Sequence, residues 1–215
     1  MHPTIRKLLL ITHITVSVGW IGAVLAYLAL VIAAMTGQSD QFLRAAWIAL
    51  ELIGWYVIVP LALAALVTGS AIALATPWGL LRHYWVLSSL LLTAVASGVL
   101  LQHMSTVGFF ASIAADAAIS EVRSVLSSAL RGELLHAGVG LVLLLAIEAL
   151  NVYKPRGLTA YGRRQSEVVA DSTAHGVIMT APRIPRWAHA VWIHAAALLL
   201  LFVVVHVSGG GLRLH

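Results

Sequence analysis

The chain has 215 residues, 60% of them hydrophobic and 10% charged, with a formal net charge of +5. Soluble domains carry about 25% charged and about 45–50% apolar residues, so this composition excludes an ordinary soluble enzyme, a disordered chain and a nucleic-acid-binding domain. It fits an integral membrane protein built from helices.

The first residues, Met1 to Lys7, resemble the charged start of a signal peptide. The apolar run behind them, Leu8 to Met35, far exceeds the ~7–15 residues of a signal core and reads as a retained first span. Four more runs are long enough for a helix that needs ~20 apolar residues to cross a bilayer. They are Ala45 to Ala75, Tyr84 to Met104, Leu134 to Tyr153 and Trp187 to Val207. No alternating strand pattern appears, and lipid offers backbone groups no outside partners, so the spans are helices. In the second span Pro60 predicts a kink, because proline deletes a backbone bond and clashes with the preceding turn. Gly69 and Ser70 allow close helix contact further along, as do Gly138 and Gly140 at the start of the fourth span.

Between the third and fourth spans, Phe109 to Arg131 places Asp116, Ser120, Arg123, Ser127 and Arg131 at three- or four-residue steps. This pattern predicts an amphipathic helix on the outer surface, or else a long, partly helical loop. Residues 154–186 read as a basic cytoplasmic loop, and 187–215 as the fifth span with a short external tail. The first 153 residues then form a four-span bundle. The fold class predicted is an all-α integral membrane protein, a bundle of five transmembrane helices with one amphipathic outer-surface helix.

Charge gives the orientation. With the N-terminus inside, Arg6, Lys7, Arg82, Lys154, Arg156, Arg163, Arg164, Arg183 and Arg186 lie inside. Arg44, Arg123, Arg131 and Arg213 lie outside. The bias favours a cytoplasmic N-terminus and an external C-terminus in a bacterial plasma membrane. Trp78, Tyr84, Trp85, Tyr153 and Trp187 fall near the inner boundary, as an aromatic belt would.

Cysteine is absent, which removes disulfides, thiolate ligands and thiol nucleophiles. Gly-rich phosphate loops and the common hydrolase motifs are also missing. Ten histidines are the unusual count. An ionisable side chain in a span is costly unless it meets a partner or a cavity. At 1.5 Å per residue, His13 lies about 9 Å above Lys7 and His194 about 12 Å above Arg186, at similar depth. His83 and His189 lie nearer the inner surface, and His103, His136 and His206 lie in the outer half. Imidazoles from different helices at equal depth are what axial ligation of haem b requires. His13 with His194 is the first pairing, with His83 as the alternative opposite ligand. His103 with His136 is a second haem pair or, equally, two interfacial histidines that stay neutral near water. Arg6, Lys7 and Arg82 are cations for the propionates of an inner haem, and Arg131 for an outer one. His83, His189 and His206 otherwise read as interfacial. Among the acids, Glu133 shares a helix face with His136 and either orients its imidazole or is interfacial and solvated. The same choice stays open for Glu51, near the outer start of the second span, and Glu148 reads as interfacial and solvated.

The run His13-Ile14-Thr15-Val16-Ser17-Val18-Gly19-Trp20-Ile21-Gly22 puts His13 and Trp20 two turns apart on one face. With Pro60, Thr76-Pro77-Trp78-Gly79 and His83-Tyr84-Trp85, it resembles a group of actinobacterial multi-pass membrane proteins. These are helical bundles like the copper-resistance-D proteins and the HemJ-type protoporphyrinogen oxidases. The resemblance covers about the first 105 residues with some specificity. It implies a bundle of four or more helices and, in the HemJ branch, haem b held by the histidine corresponding to His13. The HemJ branch carries a lysine after the third-helix tryptophan, where this chain has Val86-Leu87-Ser88-Ser89, so protoporphyrinogen oxidation does not carry over. Copper handling would call for methionines beside histidines, and Met104 next to His103 is the one such pair. The leading expectation is a haem b protein for electron transfer within the membrane, with quinone or another membrane redox partner. The alternatives are copper or small-solute transport, and a non-catalytic membrane subunit.

Overall fold

The computed structural model describes residues 3–76, 79–116, 122–155 and 157–173. Six α-helices follow in order: α1 (Pro3–Thr36), α2 (Asp40–Ile53), α3 (Val59–Ala75), α4 (Tyr84–Ala115), α5 (Val122–Tyr153) and α6 (Ala160–Thr173). A π-helical turn, Gly54–Ile58, joins α2 to α3, so the two form one continuous rod. Among the described residues, four helices are long and apolar enough to cross a membrane: Thr4–Thr36, Asp40–Ala75, Tyr84–Ala115 and Arg123–Tyr153. This is the mark of a multi-pass membrane protein. The fifth expected span, Trp187 to Val207, lies outside the described residues, as do His189, His194 and His206.

The chain runs up and down between two ends, which we call the Arg6 end and the Asp40 end. Gly37 to Ser39 turn the chain from α1 into α2; the Ser39 hydroxyl accepts from Phe42 N–H at 3.3 Å and caps α2. Packing is by α1 against α3 and α5, and by α4 against α2, α3 and α5. The core between them is aromatic and aliphatic: Trp20, Tyr27, Trp47, Leu50, Met104, Leu126, Leu130 and Leu143 are all buried. Outward-facing positions are Ile, Leu, Val and Phe, among them Ile11, Leu25, Leu91 and Phe109, as lipid exposure requires.

The second rod bears out a local disturbance at Pro60 and specifies it. The widened turn sits just before the proline, and Val59 N–H reaches back to Gly54 O. One extra residue per turn absorbs the missing donor and the ring's clash with the preceding turn.

Two expected boundaries are corrected. No separate surface helix runs from Phe109 to Arg131. Its first part completes α4 and its last part opens α5, with residues 117–121 between them outside the described ones. The reason is that each part buries an apolar stripe against α2. Ala111 and Ala114 are buried on α4, Leu126 and Leu130 on α5, and the Trp47 indole N–H donates to Leu126 O at 3.3 Å. At 1.5 Å per residue, helices of 32 residues reach about 48 Å, so their polar ends project past a ~30 Å hydrocarbon core while staying helical. Arg44 ties this end together by donating to Ala114 O and Asp116 O, and Arg123 pairs with Asp40.

The second correction concerns residues 154–186, expected as a loop throughout. Ala160–Thr173 is helical. Thr159 is its cap: the hydroxyl accepts from Gly162 N–H at 3.0 Å and donates to Leu81 O at 2.5 Å. Leu158 pairs with His83 in an isolated antiparallel bridge, which ties this segment to the start of α4.

Candidate functional site

A cavity of about 490 Å³ opens between α1, α3, α4 and α5 in the half of the bundle toward the Arg6 end. His13 lies in its wall. So do Ser17 and Trp20 of α1, Gly69 of α3 and Thr76 just past its end, Trp85, Ser89 and Thr93 of α4, and Glu148 and Asn151 of α5. Most of the remaining wall is Leu, Ile, Val and Ala. Arg6 and Lys154 line it as well, placing two cations at the same end.

His13 is positioned by α3. Gly69 carries no side chain where the imidazole lies; a Cβ there would sit 3.1 Å from His13 Cε1. Thr68 Oγ1 lies 2.9 Å from His13 Nδ1 and 2.7 Å from Ala64 O. With the hydroxyl proton on Ala64 O, Nδ1–H donates to Thr68 and Nε2 keeps its lone pair, the state in which a histidine binds metal. Elsewhere in the cavity Ser89 donates to Asn151 Oδ1 at 2.8 Å, a side-chain latch between α4 and α5.

Lys154 was not singled out by its position in the sequence as a cavity residue. It ends α5 with φ 43°, and its N–H returns to Leu150 O at 3.0 Å. This left-handed residue closes the helix ahead of Pro155. Of the other expected cations, Lys7 is exposed and is not among the cavity's walls. Arg82 turns instead to the segment around Gly162 and Ser166. His83 precedes α4 and bridges to Leu158, so it stands apart from the cavity wall. Glu148, expected as interfacial, faces the cavity. Gly22 and Gly138 abut nothing, since a Cβ at either meets no atom within 4 Å; the close approach expected at Gly138 is not found.

A second group lies further toward the Asp40 end. Tyr27 Oη donates to Glu133 Oε2 at 2.7 Å, and His103 Nε2 lies 3.1 Å from the same oxygen. The Glu133 side chain is only 3% exposed and that of His103 13%. The His103 and His136 rings stack with centroids 3.7 Å apart and planes 12° from parallel. Axial ligands of one haem bind from opposite faces with the macrocycle between them. These two rings face one another directly, so as placed they do not form the second haem pair. Arg131, the expected cation for it, is exposed and is not among the walls of the adjoining void. Glu133, expected beside His136 on its own helix, instead meets His103 of the neighbouring one. Met104 is buried and packs on Gly54.

Among the described residues no group of three or more His, Cys, Asp or Glu side chains is arranged to hold a bare metal ion. Haem makes a smaller demand: one or two axial imidazoles, an apolar slot and cations for two propionates. On the described residues, His13, the apolar walls with Trp20, and the pair Arg6 and Lys154 meet the first ligand, the slot and the cations. No family model matches the chain, and no curated protein and no solved structure does either.

Proposed function

We propose that the chain is a haem b-binding protein of the bacterial plasma membrane that moves electrons within the bilayer, with the N-terminus cytoplasmic. The observation that carries this reading is the place of His13, in the wall of a cavity of about 490 Å³ with its Nδ1 hydrogen-bonded to Thr68, so that Nε2 is the nitrogen that would hold the iron. When bound, haem b would supply one-electron chemistry at its iron.

The chain's own residues do the rest. Thr68 and Gly69 orient the imidazole and leave it room. Trp20, Trp85 and the aliphatic walls exclude water, which strengthens every electrostatic interaction inside. Arg6 and Lys154 attract carboxylates to one end of the cavity. Glu148 places an acid in the same wall. His194 is the proposed opposite ligand, on the ground of equal depth in the sequence. Quinone is the proposed electron partner, because an electron leaving a site inside the bilayer needs a lipid-soluble acceptor.

The test is an absorption spectrum of the full chain in detergent, oxidised and dithionite-reduced. The expected result is a Soret band that sharpens on reduction and is lost in His13→Ala but kept in His206→Ala. A colourless protein after expression with ample haem, or a Soret band unchanged by His13→Ala, overturns the reading.

A further inference from the structure

Glu133 poses a separate problem. A carboxylate sunk in a membrane bundle needs either a proton or a positive partner. The small void beside it, about 60 Å³, is lined by Tyr27, His103, Glu133 and His136, and its other walls are apolar or glycine. Among the described residues no Lys or Arg lines it. On the described helices around it, Glu51 of α2 lies against Gly108 on α4, Arg44 is bonded to Ala114 O and Asp116 O, and Arg131 on α5 itself is exposed. The partners placed on the carboxylate are Tyr27 and His103, and the His103 contact needs a proton between Nε2 and Oε2.

We propose that Glu133 and His103, backed by Tyr27 and His136, form a membrane-embedded proton-binding site. It exchanges one proton between the Glu133 carboxylate and His103 Nε2. In one direction the Nε2–H bond breaks and an O–H bond forms, leaving a neutral imidazole and a carboxylic acid. The reverse gives an imidazolium and a carboxylate, and no electron changes hands. The 3.1 Å separation allows the transfer without any movement of the helices. Tyr27 Oη–H serves Oε2 in both states.

His136 sets the capacity at one. Its ring, stacked on His103, presents a π face to an imidazolium, which is favourable. A second imidazolium at 3.7 Å would be repelled. A water molecule needs ~10–15 Å³ and two to four polar partners, and the void of about 60 Å³ offers both the room and four polar side chains. Trp20 and Leu144 wall both this void and the larger cavity, so the site adjoins it. The proposal is independent of what the larger cavity holds.

The experiment is pH-difference infrared spectroscopy on the full chain in lipid nanodiscs. Wild type should show a carboxylic-acid C=O band that changes together with imidazole bands as pH is varied, and that shifts in D₂O. Glu133→Gln should abolish it, while Glu51→Gln and Glu148→Gln keep it. Tyr27→Phe, which preserves shape, should move the band to higher frequency because one hydrogen bond to Oε2 is gone; this variant decides the matter if Glu133→Gln does not fold. A band that survives Glu133→Gln overturns the proposal. So does a Glu133 band that changes with no imidazole partner, or one unmoved by Tyr27→Phe.

Discussion

Gly69 faces His13 across the α1–α3 contact so closely that a single added carbon would press on the imidazole: its Cβ would lie 3.1 Å from Cε1. That spacing is tight enough that an alanine forces the ring to give by a few tenths of an ångström, and a valine displaces it. Gly69→Ala should therefore lower the ratio of Soret to protein absorbance modestly, and Gly69→Val should remove most of it. Overpacking of this kind costs ~1–3 kcal/mol. The melting temperature of the apoprotein, followed by tryptophan fluorescence, should fall far less than haem content. Full haem content in Gly69→Val would show that the imidazole is not held as described.

Thr68 is the hydrogen-bond partner of His13 Nδ1, and the tautomer in which Nδ1–H donates to it can be read directly. In ¹⁵N-histidine-labelled protein, His13 should show a protonated Nδ1 and an unprotonated Nε2. Thr68→Val keeps the shape but removes the acceptor, leaving Nδ1–H without its partner, which costs ~1–3 kcal/mol. The nitrogen shifts should then move toward a mixture of tautomers, and Thr68→Ser should restore the wild-type pattern. A Thr68→Val spectrum identical to wild type refutes the assignment.

These contacts show what a chain of this kind discloses and what it withholds. The four described spans are legible because a bilayer asks for about twenty apolar residues in a row, and that is a local property. Helix ends are not, since α4 and α5 continue past the apolar run wherever a stripe such as Ala111–Ala114 or Leu126–Leu130 still finds a neighbour. His13 and Trp20 share a cavity wall as their seven-residue spacing predicts. Thr68 and Gly69 join them from 55 and 56 residues away, and spacing within one helix says nothing of that. The same limit explains Glu133. Its i, i+3 relation to His136 is readable in the sequence, but its bond to His103 depends on how α4 packs on α5.

Gly54 and Met104 provide a test of that packing. A Cβ on Gly54 would collide with Met104 Cε and come within 2.6 Å of Sδ. Met104 is 2% exposed, so its thioether must shift within the bundle. Gly54→Ala should destabilise by ~1–3 kcal/mol through overpacking, and Met104→Ala by ~2–5 kcal/mol through the cavity it leaves. Combined, the two should cost clearly less than their sum, because the alanine methyl enters the space the thioether vacates. Thermal unfolding in detergent measures all three, and strict additivity would contradict the contact.

Thr159 offers the most local prediction. Its hydroxyl accepts from Gly162 N–H and donates to Leu81 O, so it both caps α6 and fastens it to the start of α4. Thr159→Ala should cost about 1 kcal/mol as a lost cap. The loss belongs to α6 alone, because α1 to α5 hold one another without it. In hydrogen exchange the amides of the first turn of α6, Tyr161 to Arg164, should therefore open several-fold faster, while those of α5 around Leu143 stay protected. Thr159→Ser retains the oxygen and should restore the wild-type rates. Faster exchange spread evenly over all the helices would instead mean that Thr159 supports the whole bundle.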